Sequence, residues 1–215
     1  MSAAPNSRKT EAMIKKLTVF LALLLIAGGA QARIAHLKHF FQDVRTYQAK
    51  FTQVVLDEAS QPVQQSSGSL WIERPGKFRW DYETPFVQQV IGDGERLWVY
   101  DRDLKQVSVR SLKGALADTP AQWLAGRGDL ERDFILRELD RRDGLEWVQL
   151  LPRKKDSGFT SASIGFVQGR LRILELVDGL GQTTRITLHD ARENAGIDSA
   201  KFSFRPSPGV DVISE

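Results

Sequence analysis

The 215-residue sequence contains no cysteine, three histidines and two methionines, and its longest apolar run falls well short of a membrane span. Without cysteine there is no disulfide and no sulfur to carry a lipid anchor, so hydrophobic burial alone must hold the fold. The histidines are His36, His39 and His189. His36 and His39 stand at i, i+3, a spacing that suits a metal, but no cysteine and no third ligand accompany them, and solvated histidines explain them better. Gly-x-Ser-x-Gly elbows, phosphate loops and dinucleotide-binding patterns are missing as well. Asp93, Asp101 and Asp103 fall near turns, as solvated carboxylates do. These shortages predict a protein that is not an enzyme, with no catalytic residues, no cofactor and no metal.

A surplus of charge is also missing once the N-terminus is set aside. Lys15 and Lys16 precede an apolar stretch from Leu17 to Ala27, and Ala30-Gln31-Ala32 supplies the small-x-small pattern of signal-peptidase cleavage. A spanning helix needs roughly 20 apolar residues, so the stretch reads as a signal peptide. Residues 1–32, including an extension in which Met13 is an alternative start to Met1, are expected to be removed between Ala32 and Arg33. The leader takes Arg8, Lys9, Lys15, Lys16 and Glu11 with it, so residues 33–215 carry 26 basic and 26 acidic side chains. The high isoelectric point belongs to the leader, and nothing global points to nucleic acid. Those 183 residues suit one domain.

What is present is mostly β pattern. One amphipathic helix opens the domain, with Ile34, Leu37, Phe40, Phe41, Val44 and Tyr47 at three- and four-residue steps. The period then changes to two. Lys77-Phe78-Arg79-Trp80-Asp81-Tyr82-Glu83 alternates strictly, and ten further strands are expected at 49–56, 67–74, 86–92, 95–101, 104–110, 132–139, 144–151, 161–168, 170–177 and 182–189. Pro75-Gly76, Asp93-Gly94, Asp143-Gly144, Gln168-Gly169 and Asp178-Gly179 supply short turns, so consecutive strands run antiparallel. Thr119-Pro120 predicts a cap and first turn for a short helix over 121–125, and Asp198 a cap for one turn before Lys201-Phe202-Ser203-Phe204 resumes alternation.

About eleven strands with one apolar face cannot lie flat and must curl into a barrel or half-barrel, with the amphipathic helix over the opening. Its concave face is expected to draw on Phe78, Trp80, Tyr82, Trp98, Tyr100, Trp147, Ile164, Phe166 and Ile173. A sheet of this size encloses either a filled core or a ligand cavity.

The run Leu70-Trp71-Ile72-Glu73-Arg74-Pro75-Gly76-Lys77-Phe78-Arg79-Trp80 resembles the periplasmic outer-membrane lipoprotein carrier family, LolA. The resemblance continues through Tyr47-Gln48-Ala49-Lys50-Phe51-Thr52-Gln53, Asp93-Gly94, Leu97-Trp98-Val99-Tyr100, Asp118-Thr119-Pro120, Lys201-Phe202-Ser203-Phe204 and Pro208-Gly209-Val210. It implies a mainly β fold with α elements: an unclosed antiparallel β-barrel of about eleven strands, covered by a helical lid over an apolar cavity.

The function it implies is that of a monomeric chaperone in the periplasm of a Gram-negative bacterium. Such a carrier binds the acyl chains of lipoproteins released from the inner membrane by an ABC transporter and delivers them to the outer-membrane receptor LolB. Arg74 matches the family arginine that hydrogen-bonds to the lid helices, and Phe78 and Trp80 match aromatic positions of the cavity wall and rim. Trp123 and Leu124 fall in the lid helix. Two other readings stand beside it: a lipoprotein-sensing domain of the same fold, which usually carries a second domain, and a lipid hydrolase, for which the histidines are badly placed.

Overall fold

The computed structural model describes residues 31–112, 120–126, 129–154 and 158–214. The expected leader up to residue 30 and the expected cap Thr119 lie outside the described residues, whereas Ala32 and Arg33 fall in the first turn of helix α1 (Gln31–Gln42). Leu37 and Phe40 of α1 are buried, and Ile34 and Phe41 pack beside them. The helix ends earlier than its periodicity suggests. Val44 and Tyr47 are fully buried but lie beyond it, and Tyr47 already belongs to the first strand. Burial continues across the helix end, and periodicity alone cannot tell the two apart.

The first meander comprises β1 (Thr46–Leu56), β2 (Pro62–Glu73), β3 (Lys77–Thr84), β4 (Gln88–Asp93), β5 (Arg96–Asp101) and β6 (Gln106–Ser111). Helices α2 (Pro120–Ala125) and α3 (Leu130–Asp133) follow, and Asp129 caps α3 by accepting from Arg132 N. The second meander is β7 (Phe134–Arg142), β8 (Leu145–Pro152), β9 (Ser161–Val167), β10 (Arg170–Val177) and β11 (Thr183–Glu193). All eleven expected strands are therefore present, and a twelfth, β12 (Asp211–Ser214), was not anticipated.

The strands form one sheet in the order β12-β6-β5-β4-β3-β2-β1-β11-β10-β9-β8-β7. The two meanders meet where β1 pairs with β11, and every pairing is antiparallel except β12 with β6. β12 and β7 end the order without pairing to each other, so the sheet does not close into a barrel. The Asp143-Gly144 and Gln168-Gly169 turns have positive φ at both residues, as two-residue hairpins of primed type require. The carboxylates of Asp93 and Asp101 accept backbone N–H groups two and three residues on, so they are built into their turns rather than merely solvated.

One face of the sheet is covered by the helices. Leu37 and Phe40 of α1 and Trp123 and Leu124 of α2 join Tyr47, Phe51, Leu70, Ile72, Phe78, Trp80, Ile164, Phe166 and Leu188 in a continuous apolar core. The opposite face of β2–β5 is covered by the C-terminal segment. Asp198 caps a 3-10 turn (Ser199–Phe202) by accepting from Ala200 N, as expected. Lys201 and Phe202 belong to that turn, however, and residues 203–204 form no strand. Phe202 is buried, and Phe204 stacks against Trp98 and Tyr100 at centroid distances of 5.7 and 5.2 Å.

Candidate functional site

Arg74 follows the last residue of β2 and precedes the Pro75-Gly76 turn, which places its side chain under the ends of both α1 and α2. Only 7% of it is exposed. Nη1 donates to Val44 O at 2.5 Å, just past α1, and Nη2 donates to Leu124 O at 2.8 Å, in α2. Main-chain bonds run alongside: Arg74 N donates to Arg45 O and Gly76 N to Ala125 O. The guanidinium carbon lies 4.7 Å from the Phe40 ring centroid and 5.4 Å from that of Phe41. A planar fork with five donors can span two carbonyls in this way, whereas an ammonium group acts as a single point. Burial, reinforced by the Arg45 charge, pulls this guanidinium down to about 10, so it stays protonated at neutral pH. Its Nε finds no partner.

The other polar attachments of α1 are peripheral. Arg33 donates to Leu139 O, Ile34 N to Glu138 Oε1 at 3.2 Å, and His36 pairs with Glu146 at 3.3 Å. Lys38 pairs with Glu131 at 2.6 Å. His39 pairs instead with Asp43, so the two helix histidines point to different carboxylates. Among the described residues no three metal-ligating side chains converge. Between α1 and the far strands, Trp123 meets Phe41, Phe134 and Phe159 edge to face.

Phe78, Trp80, Tyr82, Ile164 and Phe166 all lie on the helix-covered face. Phe78 sits directly over Gly92, where an added Cβ would come within 2.3 Å of its ring. Phe51 and Trp80 rings are 4.8 Å apart, and Phe51 and Tyr82 rings 5.3 Å. The Tyr82 hydroxyl donates to Gln53 Oε1 at 3.2 Å, and burial pushes this phenol up to about 12, against the lowering effect of that bond.

Four residues expected beside them lie elsewhere. Trp98 and Tyr100 occupy the opposite face, under Phe204, because Leu97 and Val99 take the inward positions of β5. Trp147 packs on Gly165 on that same outer side, under the guanidinium of Arg142. Ile173 is out of phase because a bulge between Leu171 and Ile173 reverses the alternation of β10, leaving Leu174 and Leu176 inward.

Two polar residues of the inner face were not singled out from the sequence. Gln53 and Ser66 are buried and face each other across β1 and β2. Counting by twos from Phe51 and Leu70 would have found them.

The model of the family described as outer membrane lipoprotein carrier protein LolA matches residues 42–205. An outer-membrane lipoprotein carrier protein of Nitrosospira multiformis is 44% identical over 203 residues, covering 94% of this chain and 98% of that one. A protein of the same name from Methylobacillus flagellatus is 40% identical over 198 residues, covering 92% and 97%. An uncharacterised conserved protein of Thermus thermophilus shares the fold at a TM-score of 0.54, with 11% identity over 86% of this chain and 98% of its own. With an unclosed sheet, a helix-covered apolar face and relatives matched along nearly their whole length, the chain belongs to the outer membrane lipoprotein carrier protein LolA family.

Proposed function

We propose that the chain from Arg33 onward is one soluble carrier domain in the periplasm of a Gram-negative bacterium, and that it makes and breaks no covalent bond. It takes up the acyl chains of a lipoprotein freed from the inner membrane by an ABC transporter and passes them to LolB at the outer membrane. Each methylene hidden from water is worth about 0.8 kcal/mol, so one long chain exposed in an aqueous compartment costs on the order of 10 kcal/mol. Phe78, Trp80, Tyr82, Ile164 and Phe166 would form the shielding wall once the side chains of α1 and α2 withdraw from it.

The observation that carries this reading is the Arg74 tie between two separate helix ends. A site that must give up its cargo cannot hold it as tightly as a filled core would. Cargo that parts the helices must break two charge-assisted hydrogen bonds, and that cost offsets part of the acyl burial. Arg74→Leu removes the offset. The variant should hold an acylated lipoprotein about tenfold or more tightly, by the worth of bonds to a charged group, and fail to pass it on. The assay incubates the protein with lipoprotein-loaded spheroplasts, recovers the soluble complex, and adds the receptor. Normal onward transfer by Arg74→Leu would remove the latch, and absence of any soluble complex with the unaltered chain would remove the carrier.

A further inference from the structure

Among the described residues three buried side-chain polar atoms lack a hydrogen-bond partner, and all three belong to the helix-covered side: Arg74 Nε, Ser66 Oγ and Trp80 Nε1. The first belongs to a group already bonded twice. The other two have no bond at all, although Ser66 and Trp80 are only 3% and 2% exposed. The contrast with the outer face is chemical. There the indole of Trp98 donates to Asp93 Oδ2 at 3.1 Å and that of Trp147 to Arg142 O at 3.2 Å. The indole N–H groups of Trp98 and Trp147 are satisfied outside, and that of Trp80 is unsatisfied within. An unpaired buried donor costs on the order of tenfold or more in the population of the closed form, and a wall meant only for hydrocarbon has no use for it.

We infer that Ser66 and Trp80 form a polar subsite inside the apolar face, which receives the carbonyl oxygen of an ester or amide at the head of an acyl chain. This rests on the carrier reading above and names where the head of the chain sits. Indole N–H donates only, so it asks for an acceptor. Ser66 faces Gln53 across the strands, and Gln53 already accepts from Tyr82, whose ring stands 6.5 Å from that of Trp80. Gly68 lies between Ser66 and Leu70 on β2, where a Cβ would meet Asp81 O at 1.9 Å and the Phe51 ring at 3.1 Å, so the ring that packs on Trp80 lies close over it.

The immediate neighbours Phe51, Gln53, Leu70 and Tyr82 are uncharged, the phenol of Tyr82 being kept neutral by burial. A carboxylate or phosphate buried here would have no counter-charge, which the interior penalises heavily, so the acceptor that fits is a neutral carbonyl. Hydrocarbon beyond it would run along Phe78, Ile164 and Phe166.

The test uses the full chain and three probes of equal chain length: monopalmitoylglycerol, its ether analogue hexadecylglycerol, and palmitate. Each displaces a fluorescent apolar dye at concentrations below self-association. The ester should bind about tenfold more tightly than the ether, the worth of one or two hydrogen bonds, and palmitate should not exceed the ester. Trp80→Phe and Ser66→Ala should each lower the ester-to-ether ratio, and the double variant should bring it near one. Because the ratio is read within each variant, a general loss of packing does not imitate the effect, and Ser66→Ala keeps the test alive if Trp80→Phe folds poorly. The indole N–H resonance of Trp80 should move downfield with the ester and not with the ether. Equal binding of ester and ether by the unaltered chain overturns the subsite, as does an ester preference that survives the double variant. Tightest binding of palmitate overturns it too, by showing an anion site. Failure of all three probes to bind overturns the carrier reading together with it.

Discussion

On the helix-covered face, α1 and α2 pack Leu37, Phe40, Trp123 and Leu124 into the core, and their polar ties to the sheet are Arg74, the Gly76 N to Ala125 O bond and a few contacts at the rim such as His36 with Glu146. On the opposite face, residues 198–214 are fastened repeatedly: Lys201 Nζ stands 4.0 Å over the Trp71 ring, Arg79 donates to Lys201 O, Phe204 stacks on two rings, and β12 joins the sheet. The inner face also carries the unpartnered polar atoms, while the outer indoles of Trp98 and Trp147 have acceptors. Under the carrier function proposed above, the difference is that between a fixture and a removable piece. What decides is how many polar groups depend on it staying.

Substitutions on either side can break or sharpen that contrast. The largest effect is expected from Phe78→Glu, which buries a carboxylate against Gly92 and the inner core. It should cost at least about 3 kcal/mol of stability and abolish loading of acyl probes. Unchanged loading, read by dye displacement, would move Phe78 out of the binding wall. Next comes Phe204→Ala on the outer face. Loss of its two ring contacts should lower stability by about 1–2 kcal/mol in denaturant titration while leaving acyl binding alone. A matching fall in binding would mean that the two faces are not independent.

The smallest effect concerns acid. Burial raises the Asp93 carboxyl, but the donors Arg96 N, Trp98 Nε1 and Glu95 N outweigh it and hold the group below its ordinary value of 3.8. A carboxylate lowered by folding contributes stability that is present above its unfolded value and is lost as pH falls through the lower folded one. Asp93→Asn should therefore flatten the fall in melting temperature below about pH 4. An unaltered acid limb would show that the turn does not depend on that charge.

The strands were legible because alternation is a local property: Phe78, Trp80 and Tyr82 sit on one face in sequence and in space. Alternation says which side chains share a face, not which face meets the helices. Trp98 and Tyr100 alternate as inner residues would, yet their strand is covered on both sides and they face Phe204, and the bulge that turns Ile173 outward leaves no mark in the sequence. Arg74 could be singled out from the motif around it, but its partners Val44 O and Leu124 O are main-chain atoms 30 and 50 residues away. β12 escaped notice because four residues running parallel to a distant strand have neither a turn nor a long pattern to announce them.

That last strand has a consequence for how molecules meet one another. Asp211–Ser214 lies along β6 like a hem and takes up that strand's hydrogen-bonding row, and with only four residues it offers another chain a short edge. At the far end of the order, β7 displays Arg137, Asp140 and Arg141 at exposed positions, charges that discourage stacking of one sheet on the next. A sheet that never closes on itself thus ends in one short edge and one charged edge, both features that work against growth into a neighbour.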